Sequence, residues 1–470
     1  MFRLRASGFV AMVSLWLVFA PQATQALDRV TALTLAKKYL SASDAGERER
    51  LARRLQGYAG DYREVINALL ETEYPKVQPG YHPEQLLSIP ELREKYPESL
   101  LYFNVPPDYR PDRPTGLIIF LHGGGRNTSQ YAPRYSLDFP EEGDEPENSQ
   151  LGDIFNATGM IAVGPSAPGF RKTAYRWCLP ESDDYLADVI RECHARFHID
   201  PDRVVLFGHS MGGFGAYHHL LRQPDRFAAV LVNAGSWEKA YWPAARGTPL
   251  GIVHGVQDAV KGERWHYTDI AYARWSQTIL SRLNLEYTYL EHDGEHGIFP
   301  SRAGIERYLR AAARQRRDPF AKSIALASPN GFDDWFAGPV RHNRWLTLEE
   351  ADSGTIEYDE LITNGAEEFD DWRLRYRVAR SDGAAIQAVN RGDNTVVVSL
   401  QNVRRFTVWL HPTMVDHQQP VTVMVNGRTW FEGKIAPSLA VALESYHRRY
   451  DWGLIYPMKI ELVDPQSAGR

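Results

Sequence analysis

Cysteine is scarce, with two residues in 470, Cys178 and Cys193. That excludes a disulfide-built scaffold. A zinc cage is excluded too, because Cys178 stands too far from Cys193 for a close ligand pair, even though His194 and His198 follow at metal-compatible spacing. No metal and no cofactor is expected. Charge of one sign is also lacking. The net charge of −6 argues against a nucleic-acid partner and against a basic membrane-binding face. Beyond the N terminus no run is apolar enough to span a bilayer. There is no internal repeat and no low-complexity tract. What remains is an ordinary globular composition, 43% apolar and 24% charged, with length enough for two or three folding units.

The first residues have the grammar of a targeting segment. Arg3 and Arg5 precede the apolar run Phe9 to Ala20, and Thr24, Gln25 and Ala26 supply a small-residue cleavage region. Residues 1–26 are therefore expected to be a signal peptide, and the mature protein to be secreted or periplasmic without a membrane span. With export and an even cysteine count, a Cys178–Cys193 bridge is the favoured expectation.

Residues 27–96 read as a helical lead-in, with Leu33, Ala36 and Leu40, then Leu51, Leu55 and Tyr58, then Val65 and Leu69 at helical spacing. From 97 to 320 the pattern is different. Short apolar runs at Leu100–Val105, Leu117–Leu121, Met160–Val163, Val204–Phe207, Ala228–Val232 and Leu250–Val253 alternate with helical stretches. Such runs suit strands buried on both faces, so the expected fold is α/β, a doubly wound and mostly parallel sheet. Residues 325–465 read as a β-rich accessory domain, sandwich-like, with Asn426-Gly427 as a hairpin turn. The acidic stretch Glu141 to Glu147 is expected to be a solvated loop.

Four segments carry chemistry. Gly208-His-Ser210-Met211-Gly212 follows a buried-strand run and opens a helical one. A strand, sharp turn and helix is the context in which a serine hydroxyl is lifted above a sheet as a nucleophile. His122-Gly123-Gly124-Gly125 follows an earlier strand. Glycines there let backbone N–H groups approach an oxyanion, with Met211 supplying the partner N–H. Asp258 lies three residues past Gly255, at the end of a later strand, placed to orient an imidazole. Asp269 is a weaker rival. His296 follows the last strand-like run as the base, with His292 too near the strand end. Trp177, Trp237 and Tyr131 fall near these elements and are candidates for substrate contact, although such rings more often fill cores. Trp265 and His266 are candidates for a lid.

On these residues the stretch from about 100 to 310 resembles the polyhydroxybutyrate-depolymerase and feruloyl-esterase-like branch of secreted α/β hydrolases. The segments that carry the resemblance are Phe120-Leu-His-Gly-Gly-Gly125, Ile199 through Gly213, and His254-Gly-Val-Gln-Asp258. The prolyl-oligopeptidase catalytic domain is related and shares the order serine, aspartate, histidine. The resemblance implies a Ser210–Asp258–His296 triad, oxyanion donors near Gly124 and Met211, and a small-molecule or polymer ester as substrate, hydrolysed through an acyl-enzyme. A peptidase remains an alternative. So does a catalytically silent scaffold whose β domain binds a surface or carbohydrate. All the catalytic elements precede the β-rich region, so that region is expected to be dispensable for chemistry.

Overall fold

The computed structural model describes residues 27–124, 130–137, 151–168, 176–258, 268–329, 339–364 and 372–465. Residues 1–26 of the expected signal peptide, Gly125, the acidic stretch Glu141 to Glu147, Trp265 and His266 lie outside the described residues.

The aliphatic runs form one eight-stranded sheet. Its strands are β1 (Gly80–Leu86), β2 (Leu100–Val105), β3 (Thr115–Leu121), β4 (Ile161–Pro165), β5 (Ile199–His209), β6 (Ala229–Asn233), β8 (Leu250–Gly255) and β9 (Tyr287–His292), with the two-residue β7 (Lys239–Ala240) standing apart. They lie in the order β1-β2-β4-β3-β5-β6-β8-β9. The pairs β1/β2 and β2/β4 are antiparallel, and every pair from β3/β4 onward is parallel.

Period-two alternation explains the layering. Leu117, Ile119, Leu121, Val204 and Leu206 point into one core with residues of α7 (Pro180–Arg196), α8 (Met211–Arg222) and α9 (Ile270–Arg282). Their neighbours Ile118, Phe120, Val205 and Phe207 point into the opposite core, against α6 (Gly152–Asn156) and α10 (Ile298–Ala312). Each fully buried aliphatic side chain contributes roughly 1.5–3 kcal/mol. Continuous rather than alternating hydrophobicity is what a sheet covered on both faces requires.

The lead-in reading holds for three helices, α1 (Arg29–Ser41), α2 (Ala45–Leu55) and α3 (Tyr62–Leu70), each started by an aspartate side chain that accepts a backbone N–H. The rest of 27–96 belongs to the sheet side, as edge strand β1 and the short α4 (Pro90–Lys95). The three helices close on α11 (Leu439–Arg449) of the C-terminal region, where Ala32, Leu35, Leu55 and Val65 meet Leu439 and Leu443.

The C-terminal strands form a sandwich. One layer is β18 (Arg428–Gly433), β17 (Val421–Val425), β15 (Thr395–Gln401) and β14 (Leu374–Asn390), with β10 (Ser323–Pro329) also on β14. The other is β11 (His342–Asn343), β12 (Leu346–Ala351), β16 (Val403–Leu410) and β19 (Met458–Val463). Ile386, Val396 and Val423 of the first layer meet Leu346, Phe406 and Ile460 of the second. Asn426 (φ 47°) and Gly427 (φ 79°) are both left-handed, which the tight β17/β18 turn needs.

Two features bear on the expectations. The β-rich region is joined to the sheet side by a strand pair and shared core residues. β13 (Thr355–Thr363) and the first half of β14 form a two-stranded arm that pairs with β7 through Asp359↔Ala240 and Glu360↔Lys239. Leu361 and Trp372 of this arm belong to the same core as Leu117 and Leu206. The joint is also ionic: buried Arg317 donates to both carboxylate oxygens of Asp451 at 2.6 Å and to Asp202 at 3.0 Å. Second, Cys178 and Cys193 are not bridged. Both are free and buried, Cys193 on the core face of α7 and Cys178 in the turn before it.

Candidate active site

β5 runs through the middle of the sheet and ends at a turn held in an unusual conformation. Ser210 has φ 55° and ψ −120°, a strained backbone that persists only where the surroundings enforce it. The enforcement is close packing. A Cβ on Gly208 would lie 1.9 Å from Gly212 O, and one on Gly212 would lie 1.8 Å from Leu121 O, so neither position accepts any side chain. The Ser210 N–H is anchored to Asn233 O at 3.0 Å. Helix α8 then starts at Met211, directing its N terminus at the serine.

The glycines after β3 lie against this turn. A Cβ built on Gly123 would touch Ser210 Cβ at 3.4 Å, and one on Gly124 would touch Met211 Cβ at 3.4 Å. Their backbones thus run at contact distance beside the serine and the first residue of α8. His122 donates from Nδ1 to Gly123 O at 2.8 Å, fixing the loop. Burial pushes the His122 imidazole down to about 4, so it is neutral at pH 7.

The loop between β9 and α10 brings His296 over Ser210. Its Nε2 lies 2.7 Å from Ser210 Oγ, and its Nδ1 lies 3.0 and 2.9 Å from the two carboxylate oxygens of Asp258. Asp258 is 2% exposed, whereas the His296 side chain is 38% exposed and open to water. Burial alone would raise the Asp258 carboxyl. The hydrogen bonds from His254 and His296 outweigh it and hold the group well below the usual carboxylate range.

The profile of the "Alpha/beta hydrolase family" matches residues 118–389, more than half of the chain. The chain belongs to the alpha/beta hydrolase family. The bifunctional acetylxylan esterase/xylanase of Neocallimastix patriciarum is 25% identical over 162 residues, 34% of this chain and 21% of that protein. Dipeptidyl-peptidase 5 of Porphyromonas gingivalis is 27% identical over 145 residues, 29% of this chain and 19% of that protein. The chain thus spans about a fifth of the length of these curated relatives. A solved thermostable esterase is 19% identical, with a TM-score of 0.37 over 47% of this chain and 60% of its own.

In this alpha/beta hydrolase the structure brings together Ser210, His296, Asp258, Gly123, Gly124 and Met211. It does not do so for two of the aromatic candidates. Trp177 is fully buried, donates from Nε1 to His122 O at 3.1 Å and fills the space beside Gly215, so it braces the glycine loop and presents no ring to substrate. Trp237 is 4% exposed, donates to Ser276 Oγ and packs edge-on against Trp242. Both correct the substrate-contact reading to a core one. Tyr131 keeps an exposed ring, at 44%. Asp269 caps α9 by accepting the Ala271 N–H. His292 accepts from Gly294 N and donates to Ser301 Oγ, bracing the loop that carries His296.

Sequence reasoning missed the groups around Ser210, His296 and Asp258. Thr268 Oγ1 donates to Asp258 Oδ1 at 2.8 Å, and His254 Nε2 lies 3.2 Å from Asp258 Oδ2 and 2.6 Å from Thr268 O. His209 lies beside His296 with ring centroids 5.2 Å apart, and its Nδ1 is 2.7 Å from Asn233 Oδ1. Burial pushes His209 down to about 3, so it adds no charge there at pH 7. The signal that would have found His254 is its place at the end of a strand buried on both faces, where a polar residue needs a partner.

Asp183, His218 and His219 cluster with ligand atoms within 4.8 Å of one another. Arg222 Nε already holds Asp183 at 2.6 Å, and Gln223 Nε2 lies 2.9 Å from His219 Nδ1. The cluster is a hydrogen-bonded ion pair, and a metal ion would compete with Arg222 for the same carboxylate.

Proposed function

We propose that the protein hydrolyses carboxylic esters through an acyl-enzyme on Ser210. The observation that carries this reading is the continuous line from Ser210 Oγ through the His296 ring to Asp258, set beside Gly123, Gly124 and Met211. His296 Nε2 takes the Ser210 proton as Oγ attacks the ester carbonyl carbon. Asp258 keeps Nδ1 protonated and stabilises the imidazolium that forms. The N–H groups of Met211 and the Gly123–Gly124 turn receive the oxyanion. The intermediate collapses, His296 returns its proton to the departing alkoxide, and the acyl group stays on Ser210. Water then attacks, activated by the same imidazole, and releases the acid.

Ester rather than amide is supported by the acetylxylan esterase named among the relatives and by chemistry, since an alkoxide leaves more readily than an amine. The dipeptidyl-peptidase relative favours peptide hydrolysis as the second reading. The basic and apolar pattern of residues 1–26 supports a secreted or periplasmic location.

The test uses the full-length protein. A fluorophosphonate probe should label it at Ser210 and leave Ser210→Ala unlabelled, and Ser210→Ala should lose on the order of 10⁴-fold or more in p-nitrophenyl ester hydrolysis. Labelling elsewhere, or activity kept within about tenfold, removes the assignment. Faster turnover of aminoacyl-naphthylamides than of esters moves it to peptide bonds.

A further inference from the structure

A cavity of about 660 Å³ lies where the chain leaving α3, the outer face of α7 and the end of α11 meet, and Leu70, Arg191 and Trp452 are among its lining residues. Its size is that of small-molecule sites, roughly 300–1,000 Å³. It is remote from Ser210. Asp200, one of its lining residues, is the second residue of β5, and Ser210 follows the last residue of that strand. Ten residues of extended chain separate the two by roughly 33 Å.

Three features define what the cavity is suited to hold. The first is aromatic surface. Tyr74 is stacked on His198 with centroids 4.9 Å apart, and Tyr446 is stacked on Trp452 at 3.8 Å. Tyr450 is held left-handed at φ 51° with its side chain 41% exposed, a strained placement for a bulky residue. The second is a set of neutral hydrogen-bonding groups. Among the described residues, the hydroxyls of Tyr74, Tyr446 and Tyr450, the indole N–H of Trp452 and the His194 imidazole have no hydrogen-bond partner, and all five residues line the cavity. Burial pushes His194 down to about 4, so it enters uncharged, with one donor and one acceptor. The third is charge balance. Arg316 is paired with Asp200 and Asp202, and Arg191 is paired with Glu91 and lies over the Tyr450 ring at 5.1 Å. An ionic ligand therefore finds its counter-charges already taken.

We propose that this cavity is a saccharide-binding site, separate from the active site, that takes a neutral oligosaccharide segment. The C–H faces of a sugar ring match the aromatic surfaces, and its hydroxyls match a lining of neutral donors and acceptors. The site holds a glycan about one strand's length from Ser210 and takes no part in bond breaking.

The experiment reads binding without turnover, so its outcome is independent of the ester assignment. Unesterified xylotetraose and cellotetraose are titrated into full-length Ser210→Ala protein by calorimetry and tryptophan fluorescence. The expected result is saturable binding of at least one of them, weakened about tenfold or more by Trp452→Ala and by His194→Ala. The same two substitutions in the wild-type background leave hydrolysis of a small soluble ester unchanged, which also reports that each variant is folded. If Trp452→Ala fails that check, Tyr450→Ala at the rim takes its place. Absence of saturable binding to either tetrasaccharide overturns the proposal, as does binding that these substitutions do not weaken.

Discussion

His254 Nε2 and His296 Nδ1 converge on one oxygen, Asp258 Oδ2, at 3.2 and 2.9 Å. The two imidazoles differ in surroundings. His254 is buried at the end of β8, whereas His296 sits on a loop with its side chain 38% exposed. His254 Nε2 also faces Thr268 O at 2.6 Å, so that nitrogen carries the proton and donates. His254 is thus placed to act on the proposed reaction through Asp258, as a positioning residue.

Its removal should be visible in kcat and in the pH profile. A hydrogen bond to a charged group contributes about 1.5–3 kcal/mol. His254→Leu should therefore lower kcat by about tenfold to a hundredfold, with KM little changed. The sign of the pH effect follows from the direction of the Asp258 shift. The fold holds that carboxyl below its ordinary value, with His254 among the causes. Losing the donor leaves the carboxylate less stabilised and so more attractive to the proton on His296, so the acid limb of kcat/KM should move to higher pH. His254→Asn, which keeps a donor, should recover part of both effects. A variant that changes Tm alone, with kcat and the acid limb unmoved, would show His254 to be merely structural.

The arm of β13 and β14 changes what a truncated chain should do. A chain ending near Arg317 keeps Ser210, Asp258 and His296 but loses Leu361 and Trp372 from the main core, the strand partner of β7, and Asp451 from Arg317. Loss of large buried side chains costs about 2–5 kcal/mol each, against a typical total of 5–15 kcal/mol. Such a chain should be insoluble or, if soluble, without cooperative unfolding and without esterase activity. A soluble truncation with full-length specific activity on p-nitrophenyl acetate would contradict this.

The same contrast shows what was legible in the sequence. Gly208 to Gly212, the His122 glycines, Asp258 and His296 were readable because each depends on a few adjacent residues at the end of a strongly hydrophobic run. The Ser210 turn is local, and its geometry is set by glycines at fixed offsets. Edge strand β1 was missed because Gly80 to Leu86 includes Pro83 and has no clear alternation, being held by pairing with β2. The arm was missed because whether Trp372 serves the sandwich or the sheet depends on a contact more than a hundred residues away in sequence. Trp177 and Trp237 show the same limit: a ring near a catalytic motif has one appearance in sequence whether it faces a ligand or supports the loop beneath.

The free thiols give a chemical check on the fold. Burial raises both Cys178 and Cys193 well above the usual thiol range, so neither carries appreciable thiolate at pH 7. The native protein, prepared without reductant, should resist Ellman's reagent. After unfolding in guanidinium, two thiols should react. Reductant should leave Tm unchanged. One linked pair seen by mass spectrometry in non-reduced protein would contradict the arrangement around α7.

Arg317 and Asp451 should give the fold one acid-sensitive joint. Arg317 is 4% exposed and Asp451 is 7% exposed, and each is the other's bidentate partner across the joint between sheet and sandwich. Breaking a buried pair by removing one member typically costs about 3–5 kcal/mol, because the remaining charge stays buried without compensation. Asp202 still faces Arg317 at 3.0 Å, so Asp451→Asn should fall at the lower end of that range, read as a shift in urea midpoint at unchanged slope. The pH dependence follows from the direction of the Asp451 shift. Burial would raise its carboxyl, but the charge and hydrogen bonds of Arg317 outweigh burial and lower it. A carboxyl depressed in the folded state contributes stability that is fully present above its unfolded value, about 3.9, and is lost as pH falls through the lower folded value. Wild-type protein should therefore keep the contribution at neutral pH and lose it progressively below about pH 4. Asp451→Asn starts lower and has no such term, so the gap between the two urea midpoints should narrow as the solution is acidified. A gap that stays constant from neutral pH to pH 3 would show that Asp451 contributes shape alone, with no part for its charge.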